Sequence, residues 1–369
     1  MFATRTHSMY NIRCILLFLL VGLTGLAQDR KIDSLKNALQ LRKPKDSVKV
    51  EQLFALATAY IISNDANLAN KQINEAQRIA RHLNNYVLMA KAFEFKAHVS
   101  TIIESNYYQA LYYKLEELKL IEKSKDSTKM PELMNAIASL YDEIGDLDAA
   151  VKYARKSVAL SKFSTAQQQA LHYNILGYLY LQQKKFDTAL PHYQNGLHLA
   201  RSLKEDSESQ YAFALYGIGR IHFKNGHAAI AEASYRESLK LNSKAETGWT
   251  EILLMLNYAA LAEVFESRRQ TDSAIHYYEK SLAFSASQNQ KRTETLRELA
   301  DLYQSRDVVK ANTTLRMLVR LNDSIYNRQK LNSIQNLTFN EKLRQQQIAE
   351  KNKREAEERR HHCNMRASL

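Results

Sequence analysis

ALHYNILGYLYLQQKKFDTALPHYQNGLHLAR, residues 170–201, is the stretch that decides the fold. Tyr173, Leu176, Gly177 and Tyr180 fall on one stripe of a first helix. The polar run Gln182 to Lys185 interrupts it, and Ala189, Tyr193 and Gly196 then form a matching stripe on a second helix. Small Gly177 lets a neighbouring helix approach closely. Asp187 is placed to cap the second helix by accepting from its free backbone N–H groups, a contribution of about 1 kcal/mol.

The same phrase, an aromatic residue, an alanine nine positions on and usually an aromatic four further, returns along the chain. It stands as Tyr141, Ala150 and, slightly out of step, Tyr153; as Tyr180, Ala189, Tyr193; as His222, Ala231, Tyr235; and as Phe265, Ala274, Tyr278. An earlier unit carries Ala57, Tyr60, Ala69 and Ala76, and weaker ones centre on Ala110 and on Ala300, Tyr303 and Ala311. About seven helix pairs follow, and repetition at this period marks a stacked helical solenoid. With 9 Gly and 3 Pro in 369 residues, tight turns and β-corners are scarce, so the expected class is all-α.

Most tyrosines of the phrase (Tyr60, Tyr141, Tyr180, Tyr193, Tyr235, Tyr278) are expected in the core rather than on a binding surface. Residues of the first helices outside the packing stripe face an inner groove, and Asn135, Asn174, Tyr178, Tyr216 and Arg220 are the candidates. Asparagine amides pair with both polar groups of an extended peptide, tyrosine gives rigid contact area, and arginine takes a carboxylate bidentately. The two asparagines are 39 residues apart, one repeat step. They form a peptide-binding ladder, or they are merely solvated or pack between helices.

No catalytic motif, cofactor site or metal site is expected. Gly217-Ile218-Gly219 lacks the third glycine and the preceding strand of a dinucleotide site and reads as helix packing. His222 reads as a core histidine, and His361-His362-Cys363 as incidental sequence with no second ligand cluster.

The N-terminus reads as a secretory signal. Arg5 and Arg13 precede an apolar run from Cys14 to Leu26, and Gly25-Leu26-Ala27 suits cleavage after Ala27. An uncleaved anchor is the alternative, although the run is shorter than the ~20 residues that span a bilayer. The expected location is then the periplasm. The only other cysteine, Cys363, would have no partner in the mature chain.

Net charge is +13, but the stretch from Asn327 to Leu369 holds ten Lys or Arg against five Glu, and no basic stripe interleaved with aromatics occurs elsewhere. Nucleic acid is not an expected partner, whereas the basic end suits an anionic lipid surface. Leu331, Ile334, Leu337, Leu343 and Ile348 make a ragged coiled-coil seam, consistent with a solvated connector or a weak homodimer contact.

These repeat residues resemble the tetratricopeptide pattern over roughly residues 48–325, with alanine-to-alanine steps of 41, 40, 39, 42, 43 and 37 against the ~34 of the standard unit. The organisation read from the chain is a signal at 1–27, a lead-in at 28–47, the repeats, a charged helix at 326–360 and a disordered tail at 361–369. Lys31-Ile32-Asp33-Ser34-Leu35, the repeats, Leu321-Asn322-Asp323-Ser324-Ile325 and the charged helix 336–360 together resemble exported sensor regions of Bacteroidetes-type membrane histidine kinases or helix-turn-helix regulators. That resemblance implies a non-enzymatic protein- or peptide-binding module in a signal-transduction protein. In such proteins the charged helix leads into a membrane span, and here no apolar run follows Arg360. Truncation before the span is one expectation, and a stand-alone periplasmic scaffold is the other.

Overall fold

A computed structural model describes residues 30–39, 46–203, 208–242, 250–284 and 289–367, with side chains of the last helix described only in part. The expected signal segment 1–27, the lead-in except 30–39 and 46–47, and the side chains of His361, His362 and Cys363 lie outside the described residues. Helices account for the regular structure, and no strand occurs among the described residues. None of the described helices is long and apolar enough to cross a membrane.

The chain divides into two compact units, Met1–Lys129 and Met130–Leu369. The first holds α1 (30–39), α2 (Asp46–Ile62), α3 (Ala66–His82), α4 (Tyr86–His98) and α5 (Tyr107–Ser124). The second holds α6 (Met130–Ile144), α7 (Leu147–Leu160), α8 (Ala166–Gln182), α9 (Phe186–Ser202), α10 (Glu208–Lys224), α11 (Ala228–Asn242), α12 (Thr250–Ser267), α13 (Thr271–Leu282), α14 (Asn289–Gln304) and α15 (Val308–Ala367). From α2 onward each even-numbered helix packs most closely on the helix that follows it.

The nine-residue step from aromatic to alanine is the turn itself. The carbonyl of Tyr60 accepts from the N–H of Asp65, Tyr141 from Asp146, Tyr180 from Lys185, His222 from His227 and Phe265 from Gln270. The residue before each donor is left-handed: Asn64, Gly145, Lys184, Gly226 and Arg269, with φ from 58° to 92°. The donor residue is then the N-cap, and its carbonyl accepts the first helical bond from the repeat alanine, Ala69, Ala150, Ala189, Ala231 or Ala274. Asp65 and Asp146 add side-chain caps at 2.9 Å to Leu68 and Ala149. Asp187 does not cap. The N-cap of α9 is Lys185, without a side-chain bond, and Asp187 sits in the first turn, where the helix dipole favours its charge.

The two irregular units have opposite causes. In the last pair Tyr303 accepts from Asp307, four residues on, so the turn has lost its left-handed residue and the step to Ala311 shortens to eight. In the unit around Ala110 a residue is gained: Val99–Ile103 is a π-turn closing α4, and Asn106 donates to Ser100, six residues back. With Ala97 taken as the small packing residue, buried Ser100 stands where the other units carry an aromatic. The extra residue displaces the phrase and makes it illegible.

Within pairs of the second unit a small residue on the second helix meets a carbonyl of the first. Ser157 donates to the carbonyl of Pro131 at 2.7 Å, Ser238 to Ala212 at 2.7 Å and Ser281 to Met255 at 2.9 Å. Gly196 holds the same place in the α8–α9 pair, where a Cβ would lie 3.2 Å from the Ala170 carbonyl.

α15 carries no Gly or Pro and runs unbroken from Val308 to Ala367. It joins the second helix of the last pair to the charged connector and replaces the disordered tail expected at 361–369 by helix as far as Ala367. Leu331, Ile334, Leu337 and Ile348 of the apolar seam are exposed.

Candidate binding groove

In the second unit successive first helices meet: α6 packs on α8, α8 on α10 and α10 on α12. The second helices fan apart on the other side, so the first helices form the inner wall. Large tyrosines of the second helices reach towards this wall through gaps left by small residues. A Cβ on Gly177 would lie 3.0 Å from the Tyr193 ring, one on Gly217 2.2 Å from it, and one on Gly219 2.6 Å from the Tyr235 ring. Gly217-Ile218-Gly219 is therefore a packing device, since the tyrosines occupy the space where those side chains would stand.

Tyr193, Tyr235 and Tyr278 occupy the same repeat position and are all buried, but their hydroxyls differ. Tyr278 donates to Glu266 at 2.7 Å. The Tyr193 hydroxyl is buried without a hydrogen-bond partner, a situation that costs about 1–3 kcal/mol, whereas the buried Tyr235 hydroxyl meets the Arg220 guanidinium but has no acceptor for its own proton. Burial pushes both phenols far above their ordinary pKa, so both remain protonated donors. Tyr178, Tyr216 and Arg220 are the charged or titratable neighbours felt by Tyr193, and Arg220, Tyr216 and Glu263 those felt by Tyr235.

Arg220 is held at the same wall. Its Nη1 donates to Glu263 Oε2 at 2.6 Å, Lys291 bonds the other carboxylate oxygen, and Lys291 also lies 3.3 Å from Glu294. This bridge ties α10, α12 and α14 together. Burial acts to raise the Glu263 pKa, but the two cations outweigh it and hold the carboxyl below its usual range. Burial likewise opposes the charge on Lys291, and Glu263 more than compensates. The Arg220 and Lys291 side chains are each 15 % exposed and that of Glu263 19 %, so the bridge is largely shielded from water.

The expected groove residues separate into two groups. Tyr178 and Arg220 lie at the wall, Tyr178 half-buried, accepting from Gln182 at 2.7 Å and with Phe213 beside it at 6.3 Å, whereas Tyr216 is only 6 % exposed and packs in the core with its ring 6.1 Å from that of Tyr235. Asn135 and Asn174 are instead interior, 6 % and 0 % exposed. The Asn174 amide donates to the Gln210 carbonyl at 2.9 Å, and its side chain fills the space that Gly196 leaves open. Their one-repeat spacing is a packing register, so these two amides tie helices together rather than line the groove. Of the other core tyrosines Tyr60 is buried, whereas Tyr141 and Tyr180 are half-buried and stacked 5.4 Å from Tyr153 and His192.

Behind the wall the Asn135 amide meets His172 Nδ1, and Ser157 Oγ lies 3.1 Å from the same nitrogen. Ser157 spends its one proton on Pro131, and the buried imidazole is neutral. Burial lowers its pKa to about 4. Asn257 plays the part of His172 one pair later but one, donating to Ser238 at 2.9 Å. His222 is half-buried beside His227, with ring centroids 5.8 Å apart, and among the described residues no three metal-capable side chains gather.

Sequence reasoning missed Glu263, Lys291 and the unpaired phenol of Tyr193. A signal for Glu263 existed: it follows Ala262 as Arg220 follows Gly219 and Tyr178 follows Gly177. Lys291 breaks that register, and a hydroxyl without a partner has no sequence signature at all.

Tetratricopeptide repeat models match residues 131–163 and 168–244. No curated protein matches the chain. Among solved structures, the apo form of the quorum sensor NprR from B. thuringiensis is similar at 16 % identity and TM-score 0.58, covering 82 % of this chain and 84 % of that one. A Rap protein complexed with competence and sporulation factor is similar at 14 % and 0.55, covering 80 % and 92 %. A signal transduction ATPase with a tetratricopeptide repeat sensor from Pyrococcus horikoshii is similar at 16 % and 0.57, covering 72 % of this chain and 41 % of that one. At these identities the likeness concerns the fold: the protein is an all-α tetratricopeptide solenoid.

Proposed function

We propose that the chain is a non-enzymatic module that holds a peptide or protein against the inner wall of its second unit. One observation carries this: Tyr178, Arg220 and Glu263 occupy the position after the small packing residue on α8, α10 and α12, so aromatic and charged groups gather on one wall beside Tyr216. Rigid phenol area and an arginine suit peptide recognition. NprR, described as a quorum sensor, and Rap, seen with its competence and sporulation factor, share the fold and support the reading.

The module is exported to the periplasm after cleavage behind Ala27 and serves as the sensing part of a signal-transduction protein. α15 is the output element. Its first turns pack on α14, to which Lys291 of the bridge belongs, and it continues as one helix to Ala367. Its basic end lies near an anionic membrane surface, and a weak homodimer forms through its exposed seam.

A photo-crosslinking amino acid placed at Tyr178 in cells tests the binding reading. Mass spectrometry is expected to find a peptide or protein attached there and not at exposed Phe163. Equal labelling at both positions, or none at Tyr178, overturns it. N-terminal sequencing that begins at Gln28 supports export, and a chain retaining its first residues in the cytoplasm refutes it.

A further inference from the structure

Charge is unevenly held on the outward helices of the second unit. Between Ala149 and Ser164, α7 and the turn that ends it carry Lys152, Arg155, Lys156 and Lys162 and no acidic residue. All four are exposed, and none has an ion-pair partner among the described residues. On α11 and α13 the signs are matched instead: Arg236 and Arg268 both meet Glu232, and Glu279 lies 3.6 Å from Lys310.

Helix geometry concentrates the imbalance. α7 packs on α6 and α8 and buries Ala150, Val151, Ala154 and Ser157, which turns Lys152, Lys156 and Leu160 outward as one stripe with Arg155 beside it. The 3-10 turn Ser161–Phe163 extends this face, and there Phe163 is 100 % exposed and Leu160 44 %. The turn is fixed: Ser161 Oγ donates to the Val158 carbonyl at 2.9 Å, the Ser164 N–H to Ser161 at 2.9 Å, and Thr165 opens α8 with a capping box. Asp146 and Asp148 stand at the opposite end of the helix, where Gln183 donates to Asp148 at 2.8 Å.

We infer that this outward face of α7 docks on an anionic lipid surface, with Phe163 and Leu160 entering the interface and Lys152, Arg155, Lys156 and Lys162 at headgroup level. Unpaired cations on long apolar stems settle among mobile headgroups without needing fixed partners. The face is the outward side of one helix, convex rather than a groove, so a bilayer fits it better than an acidic protein does. An exposed aromatic ring beside lysines is the layout of interfacial helices. The inference is independent of the inner wall and of α15.

Sedimentation of the full chain with vesicles at physiological ionic strength tests it, using phosphatidylcholine alone or mixed in equal parts with phosphatidylglycerol. Wild type is expected to partition at least about 10-fold better to the mixed vesicles. The Lys152→Gln, Lys156→Gln double variant is expected to lower that partitioning about 10-fold, and Phe163→Ser about 5-fold. The three positions are exposed, so both variants are expected to keep the wild-type urea midpoint. The basic end of α15 is intact in each, so its contribution is common to all. A photo-crosslinking amino acid at Phe163 is expected to give phospholipid adducts by mass spectrometry, and one at exposed Ile230 of α11 none. Variants that partition as wild type does, or equal or absent partitioning to the two vesicle types, overturn the docking face. Retention of wild type on immobilised polyglutamate, lost in the double variant and without vesicle binding, assigns the face to an acidic polypeptide and overturns the lipid surface. Either failure leaves the reading of the Tyr178 wall untouched.

Discussion

Tyr193 and Tyr278 occupy the same position of the same repeat, two pairs apart, and both are fully buried, yet they belong to different kinds of structure. Tyr193 lies beneath Gly177 and Gly217 with its hydroxyl unpaired; Tyr278 lies beside Ala262 with its hydroxyl on Glu266. The α12–α13 pair is closed at this hydroxyl. The α8–α9 pair is left open chemically while packed just as tightly. A repeat can thus keep its architecture constant and vary function by one residue: Glu266, where Leu181 stands two pairs earlier.

Closing the glycine gap breaks the comparison most severely. Gly217→Ala puts a methyl 2.2 Å from the Tyr193 ring, between two helices that cannot part cheaply. It is expected to cost about 3 kcal/mol in urea unfolding, the upper range for overpacking. A loss below 1 kcal/mol would show that the ring moves freely.

Acid distinguishes the pairs next. The folded-state pKa of His172 lies at about 4 against 6.5 unfolded. A depressed pKa gives stability that is complete above 6.5 and declines as pH falls towards 4. Between pH 7 and 5 this group is expected to remove about 2 kcal/mol. His172→Asn, which copies Asn257, should abolish that part of the pH dependence, and an unchanged profile would refute the assignment.

Removing single hydroxyls gives a smaller contrast. Tyr278→Phe strands Glu266 and is expected to cost about 1.5 kcal/mol, as for a bond to a charged group. Tyr193→Phe removes a donor that has no partner and is expected to cost nothing or to stabilise, while Tyr235→Phe is expected to lose less than Tyr278→Phe, since it removes only a contact to Arg220. Three equal losses would mean that all three phenols are satisfied. Smaller than the Tyr278 loss, Ala262→Gly is expected to lose about 1 kcal/mol from helix propensity. A loss well beyond 2 kcal/mol there would show Ala262 to be a packing contact in its own right.

The fold was legible because packing is what the repeat residues are selected for by geometry. Ala69, Ala150, Ala189, Ala231 and Ala274 are wholly buried, and the aromatic before each lends its carbonyl to the turn, so spacing and hydrogen bonding are one fact. Where a residue is gained at Val99–Ile103 or lost before Asp307, the phrase falters while the helices persist. The site was legible only in part. Tyr178 and Arg220 stand one residue after the small packing residue and reach the wall, but Asn135, Asn174 and Tyr216 stand three before it and are buried, because that position faces the neighbouring helices.

By itself the sequence determined that the chain is an all-α solenoid of tetratricopeptide type, since period, small residues and turn spacing are local and recur. Tertiary structure alone decided which polar groups are satisfied. A hydroxyl, an amide or a guanidinium carries the same letter whether its partner is Glu266, a backbone carbonyl or nothing, and only packing across pairs tells these fates apart.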